Sequence, residues 1–146
     1  MKPIIREFQK IILKEVNDYP DGNLSIAEQI NDIPFQIKRI YYIYDLSNKK
    51  AIRGKHAHKN LEQVLFCISG SFKLLLDDGK IKMNIKMNAP NEGIYIGKYV
   101  WHTMSEFSKN CIILVLASDY FKESDYIRNY DEFISITSNI LDDKTE

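Results

Sequence analysis

From Phe35 to Ser118 the chain reads as one short strand after another, each ended by turn chemistry, and this rhythm restricts the fold more than any other feature. Phe35 to Leu46 is a run rich in Ile and Tyr, followed by Ala51 to His58 and by Gln63 to Ile68, which ends at Ser69-Gly70-Ser71. Phe72 to Leu76 leads into Asp77-Asp78-Gly79-Lys80, where Asp-Gly is a strong hairpin signal, and Ile81 to Met87 returns. Asn88 to Gly93 turns the chain again before Ile94 to Ile96, and Cys111 to Ser118 is the last apolar run. Many short strands at this spacing predict an all-β, antiparallel jelly-roll barrel with a ligand site at its mouth.

The flanks are less regular. Apolar residues from Ile4 to Val16 are spread too evenly to choose between a strand and a short helix. Tyr19-Pro20-Asp21-Gly22-Asn23 and Asn31-Asp32-Ile33-Pro34 are breaks, and Ser124 to Leu141 forms a short irregular or helical tail. With 146 residues and no linker or repeat, residues 1–146 are expected to form one domain. Lys plus Arg and Asp plus Glu balance at 20 each, so the basic stripe of a nucleic-acid binder is missing. Met1 to Val16 lacks an apolar core, and Cys111 to Ala117 is too short to span a bilayer, so a cytoplasmic protein without membrane contact is expected. Cys67 and Cys111 lie within apolar runs and read as small buried hydrophobes.

The chain has three histidines, and two of them stand in Arg53-Gly54-Lys55-His56-Ala57-His58. On a strand, alternation puts His56 and His58 on one face, and His102 can join them from a neighbouring strand. Three readings fit. With Glu62, the imidazoles make a ligand set for Fe, Mn, Ni or Zn. Without metal, a neutral His beside Tyr and Arg suits proton abstraction next to a ketone. The third reading makes them solvated strand residues. Arg39 shares a strand face with Tyr41 and offers a planar fork for phosphate, or lies on a solvated edge. Trp101 either stacks on a flat ring at the pocket or fills the core.

Several blocks together carry a resemblance. Asp32-Ile33-Pro34-Phe35-Gln36-Ile37-Lys38-Arg39-Ile40-Tyr41-Tyr42-Ile43 and Arg53-Gly54-Lys55-His56-Ala57-His58-Lys59 resemble the sugar 3,4-ketoisomerase family. So do Leu76-Asp77-Asp78-Gly79, Gly93-Ile94-Tyr95-Ile96 and Asp125-Tyr126-Ile127-Arg128-Asn129-Tyr130, and the similarity runs from about Gly22 to Phe133. The resemblance implies a dimeric, cupin-type jelly roll that moves the ketone of dTDP-4-keto-6-deoxyglucose from C4 to C3 for deoxyamino-sugar synthesis, without metal or other cofactor. It implies His56 as base, with His58 and Tyr41 beside it, and Arg53 lining the pocket. His102 occupies a place held by His or Arg in different members, near the sugar. Asp21, before Gly22, departs from the bulkier or basic residue that the family pattern implies. Glu62 keeps a His56, His58, Glu62 and His102 ligand set open on residue type alone.

Overall fold

Side-chain alternation builds this protein: in the strand Phe72–Asp77, Phe72, Leu74 and Leu76 are buried while Lys73 and Leu75 between them are only half-buried. The computed structural model describes residues 5–46 and 50–143. In chain order the strands are β1 (Phe8–Ile12), β2 (Lys14–Asn17), β3 (Asn23–Ile26), β4 (Arg39–Ile43), β5 (Arg53–His58) and β6 (Gln63–Ser69). There follow β7 (Phe72–Asp77), β8 (Lys82–Met87), β9 (Glu92–Ile96), β10 (Trp101–Ser105), β11 (Ile112–Ala117), β12 (Tyr126–Ile127) and the helix α1 (Tyr130–Asp142). One sheet has the order β1-β9-β6-β11-β4 and the other β12-β5-β10-β7-β8, with β2 and β3 paired apart as a ribbon. All the named strands pair antiparallel.

The core lies between the two sheets. Leu65, Ile94, Ile113 and Val115 from the first pack with Phe72, Leu74, Leu76 and Met104 from the second. Among the described residues no ladder joins the sheets, so the jelly roll is a sandwich open at its edges. Four elements differ from the sequence reading. The run from Phe35 to Leu46 is a strand only over Arg39–Ile43. Trp101–Ser105, which has no apolar run to give it bounds in the sequence, is the middle strand of the second sheet. The ambiguous opening contains strands from Phe8, its first residue, Ile4, lying outside the described residues. The tail divides into β12, which pairs with β5, and α1.

The helix has its own local code. Asn129 caps it by accepting from the Glu132 amide at 2.9 Å, and Asp131 and Glu132 sit in the first turn, where the helix dipole favours them. Its Phe133 is fully buried against Trp101, and the Tyr130 hydroxyl donates to Asp77 Oδ2 at 2.6 Å. These contacts lock the tail to one face of β10, leaving the other face of that strand to His102.

One irregularity positions the site. His102 pairs with His56, but the next residue, Thr103, pairs with Gly54, so Lys55 is an extra residue in β5. Gly54 and Lys55 take φ of 84° and 59°, the left-handed values a bulge of this kind demands. A Cβ on Gly54 would lie 2.7 Å from the His102 carbonyl oxygen. Gly54→Ala should therefore lower the thermal midpoint, by more than about 1 kcal/mol of stability. An unchanged midpoint in differential scanning calorimetry would show that the bulge tolerates a side chain.

Candidate active site

The bulge and the strand alternation bring all three imidazoles together. The ring centroids of His56 and His102 are 4.5 Å apart, those of His56 and His58 4.9 Å, and one nitrogen from each ring lies within 4.8 Å of the others. Each ring has its Nδ1 committed to an oxygen acceptor. His56 Nδ1 is 3.1 Å from the Gly54 carbonyl, His102 Nδ1 is 3.4 Å from the Val100 carbonyl, and His58 Nδ1 is 3.0 Å from Asp125 Oδ2. An oxygen of this kind accepts only from N–H, which fixes the tautomer and leaves Nε2 as the basic nitrogen of each ring.

The tail supplies the residues that sequence reading left without a role. Asp125 accepts from the Asn60 and Leu61 amides at 2.7 and 3.2 Å as well as from His58, and so ties the tail to the turn after β5. The Tyr126 ring lies 4.8 Å from His56 and 4.4 Å from His58. Over the same ring sits the Arg128 guanidinium, 4.2 Å away and held by two bonds to Glu123. The signal was present, because Asp125 to Tyr130 is one of the blocks quoted for the resemblance. Only the pairing of β12 with β5, across a long stretch of chain, gives those residues a place.

The other expected residues divide. The Tyr41 hydroxyl donates to Gln63 Oε1, and burial keeps that phenol well above its ordinary pKa, so it stays protonated. Arg39 lies over the Tyr41 and Phe121 rings at 5.5 and 6.0 Å, and its buried Nε has no acceptor among the described residues. With His58, Asp125 and Tyr126 it lines a cavity of about 90 Å³. Arg53 is exposed at the start of β5 and acts electrostatically on Tyr41. Two expectations are corrected. Trp101 does not face the pocket, because alternation along β10 turns it against Tyr130 and Phe133. Glu62 does not join the histidines; it accepts from the Tyr95 hydroxyl at 2.7 Å.

Burial sets the protonation state. Desolvation, with the neighbouring His58, lowers His56 to about 4. Burial also lowers His58, against the opposing pull of Asp125, and lowers His102 well below the ordinary imidazole range. The site at neutral pH therefore holds three uncharged rings, able to accept protons or bind a metal but carrying no charge of their own. The same shifts tie stability to pH. Below about 6.5 the unfolded chain takes up protons that the native rings refuse, so stability present above that pH is lost as pH falls towards 4. His102→Gln should flatten this part of the midpoint-against-pH curve. An identical slope in wild type and variant would show that His102 is not the group refusing the proton.

Known proteins share this architecture. The FdtA family profile (WxcM-like, C-terminal) matches residues 5–138. TDP-4-oxo-6-deoxy-alpha-D-glucose-3,4-oxoisomerase of Aneurinibacillus thermoaerophilus is 52% identical over 112 residues, 77% of this chain and 80% of its own. The structure is similar to that of QdtA, a 3,4-ketoisomerase from Thermoanaerobacterium thermosaccharolyticum, solved as a histidine-to-asparagine variant with TDP-4-keto-6-deoxyglucose. The TM-score is 0.90 at 42% identity, covering 93% of this chain and 97% of that one. It is also similar to the TDP-quinovose 3,4-ketoisomerase WlaRB of Campylobacter jejuni, with a TM-score of 0.84 and 46% identity over 90% of this chain and 99% of that one.

Proposed function

The chain belongs to the FdtA family, WxcM-like, C-terminal, and from that premise we propose that it is a TDP-sugar 3,4-ketoisomerase with His56 as its base. The observation that carries the reading is the convergence of three neutral imidazoles on one another, with His58 and Arg39 lining one cavity. The substrate is a TDP-linked 4-keto-6-deoxyhexose, and Arg39, with its unpaired buried Nε, suits a diphosphate oxygen.

The chemistry needs only proton carriers. The C4 ketone acidifies the C3 hydrogen; His56 Nε2 takes that proton, and the C3–H electron pair forms the C3=C4 bond of an enediol. A donor protonates O4, the proton on O3 leaves as C3 becomes the ketone, and the returning electron pair at C4 takes a proton. His58, whose Nε2 is kept basic by Asp125, accepts the O3 proton in this scheme. The Tyr41 O–H, once it leaves Gln63, serves as a donor to the oxyanion. Arg53 adds positive charge at the pocket. His102 beside His56 is an imidazole rather than a guanidinium, and on that basis the galacto product is favoured over gluco, for a pathway to deoxyamino sugars. The buried free thiols of Cys67 and Cys111 fit the reducing cytoplasm as its compartment, and among the described residues no helix is long and apolar enough to cross a membrane.

The test is NMR of dTDP-4-keto-6-deoxyglucose with the protein in D₂O. Deuterium at C4 of a 3-keto product is expected, with its configuration at C4 reporting galacto or gluco. Exchange at C3 and C5 with the ketone still at C4 would make it an epimerase. His56→Asn should lower kcat by about 10²–10⁴-fold with an unchanged fold. With His56 depressed to about 4, the acid limb of kcat/KM should fall well below the 6.5 of a free imidazole.

We infer a homodimer from the outer face of the first sheet. Ile40, Tyr42 and Ile68 are 60%, 61% and 43% exposed there, beside the ribbon β2–β3, whose residues are almost all exposed. A two-stranded ribbon is marginal in water, and a second copy laid on this face would cover both. Ile40→Glu should turn the dimer into a monomer in analytical ultracentrifugation; a monomeric wild type would overturn the inference.

A further inference from the structure

The cluster His56, His58 and His102 has the anatomy of a metal site as well as of a proton relay. Ligating histidines in proteins donate their second ring N–H to a carboxylate or a backbone carbonyl, which orients the ring and raises its basicity. All three histidines do this here: His58 to Asp125, His56 to the Gly54 carbonyl and His102 to the Val100 carbonyl. We propose that His56, His58 and His102 together bind a first-row divalent transition ion of the zinc type, and that an ion held there blocks the isomerase. The second half rests on the ketoisomerase reading; the first does not.

Two lines of chemistry define the ion. Imidazoles suit Zn²⁺, Ni²⁺, Cu²⁺ and Co²⁺, whereas Mg²⁺ and Ca²⁺ need oxygen ligands that the set lacks, Glu62 being held by Tyr95. Three protein ligands leave a tetrahedral ion one open position. Against binding stand the positive charges of Arg39, Arg53 and Arg128. Glu123 already pairs with Arg128, and Asp125 places a carboxylate behind His58. Ligand nitrogens around zinc lie about 3.4 Å apart, so a set spread over as much as 4.8 Å draws inward on the ion, and affinity stays below that of a closed structural site.

An ion bound to the Nε2 atoms occupies the lone pair His56 needs to take the C3 proton. Metal and substrate then exclude each other, and the metal acts as an inhibitor rather than a cofactor.

The experiment is a Co²⁺ titration of tag-free protein without substrate, followed by visible absorption. Bands of nitrogen-bound Co²⁺ should saturate at one ion per chain, disappear on adding Zn²⁺, and remain with excess Mg²⁺. His102→Gln should abolish them, and Asp125→Asn should weaken binding by about 10–100-fold, each checked for fold by circular dichroism. Zn²⁺ should inhibit turnover competitively with the sugar nucleotide, and EDTA should restore it. Absence of the bands, or bands unchanged in His102→Gln, overturns the site; bound ion without inhibition overturns the block. The titration needs no turnover, so failure of the ketoisomerase reading would leave its result standing.

Discussion

The Asp125 carboxylate is the tie on which the site depends. Its oxygens serve His58 Nδ1 and the amides of Asn60 and Leu61, so one side chain fixes an imidazole tautomer, closes the turn between β5 and β6 and pins the tail. Without it, β12 would have little to hold it to β5, since that ladder contains only two residue pairs. Tyr126 would then lose its place against His56 and His58, and Arg128 its seat on Tyr126. A charge-assisted bond between partly buried groups is stronger than a neutral one. That strength is spent here on geometry: three elements far apart in sequence are brought to one set of rings.

The second constraint is desolvation. A lone imidazole in water is about half protonated near pH 6.5 and is then a poor base. Packing three rings together inside the sandwich penalises the charged form of each, because each is buried and would face its neighbours' charge. Asp125 pulls His58 back the other way, so the three are not equivalent: His58 is the ring on which a transferred proton is best stabilised. Rings of differing basicity in contact make a relay with a direction.

How much of this the sequence disclosed depends on range. Alternation in Arg53–His58 was enough to place His56 and His58 on one face, because a strand's period is local. The hairpin at Asp78–Lys80 was also readable, since β7 and β8 are joined through it. Trp101–Ser105 has no apolar run to mark its bounds: His102 turns inward where it meets the other histidines, a tertiary fact. Trp101 kept two readings for the same reason, until α1 brought Phe133 against it. Glu62 had the right chemistry and position for a ligand, yet it lies beyond the turn that Asp125 closes and meets Tyr95. The roles of Asp125, Tyr126 and Arg128 depend on a pairing over about seventy residues, which no local pattern encodes.

One arrangement thus has to satisfy two opposed demands. A general base for a carbon acid needs an uncharged, accessible nitrogen pair, and so does a metal ligand. The features that would suit His56 to the proposed proton transfer, its carbonyl-bound Nδ1 and its neighbouring rings, also suit it as a ligand. What separates the outcomes is the charge around the rings. In the proposed isomerase, Arg39 and Arg53 favour an anionic sugar nucleotide over a bare cation. The cationic rim of the proposed isomerase therefore has a part in choosing the reaction as well as in holding the substrate: its field favours a diphosphate and raises the free energy of a metal ion at the imidazoles.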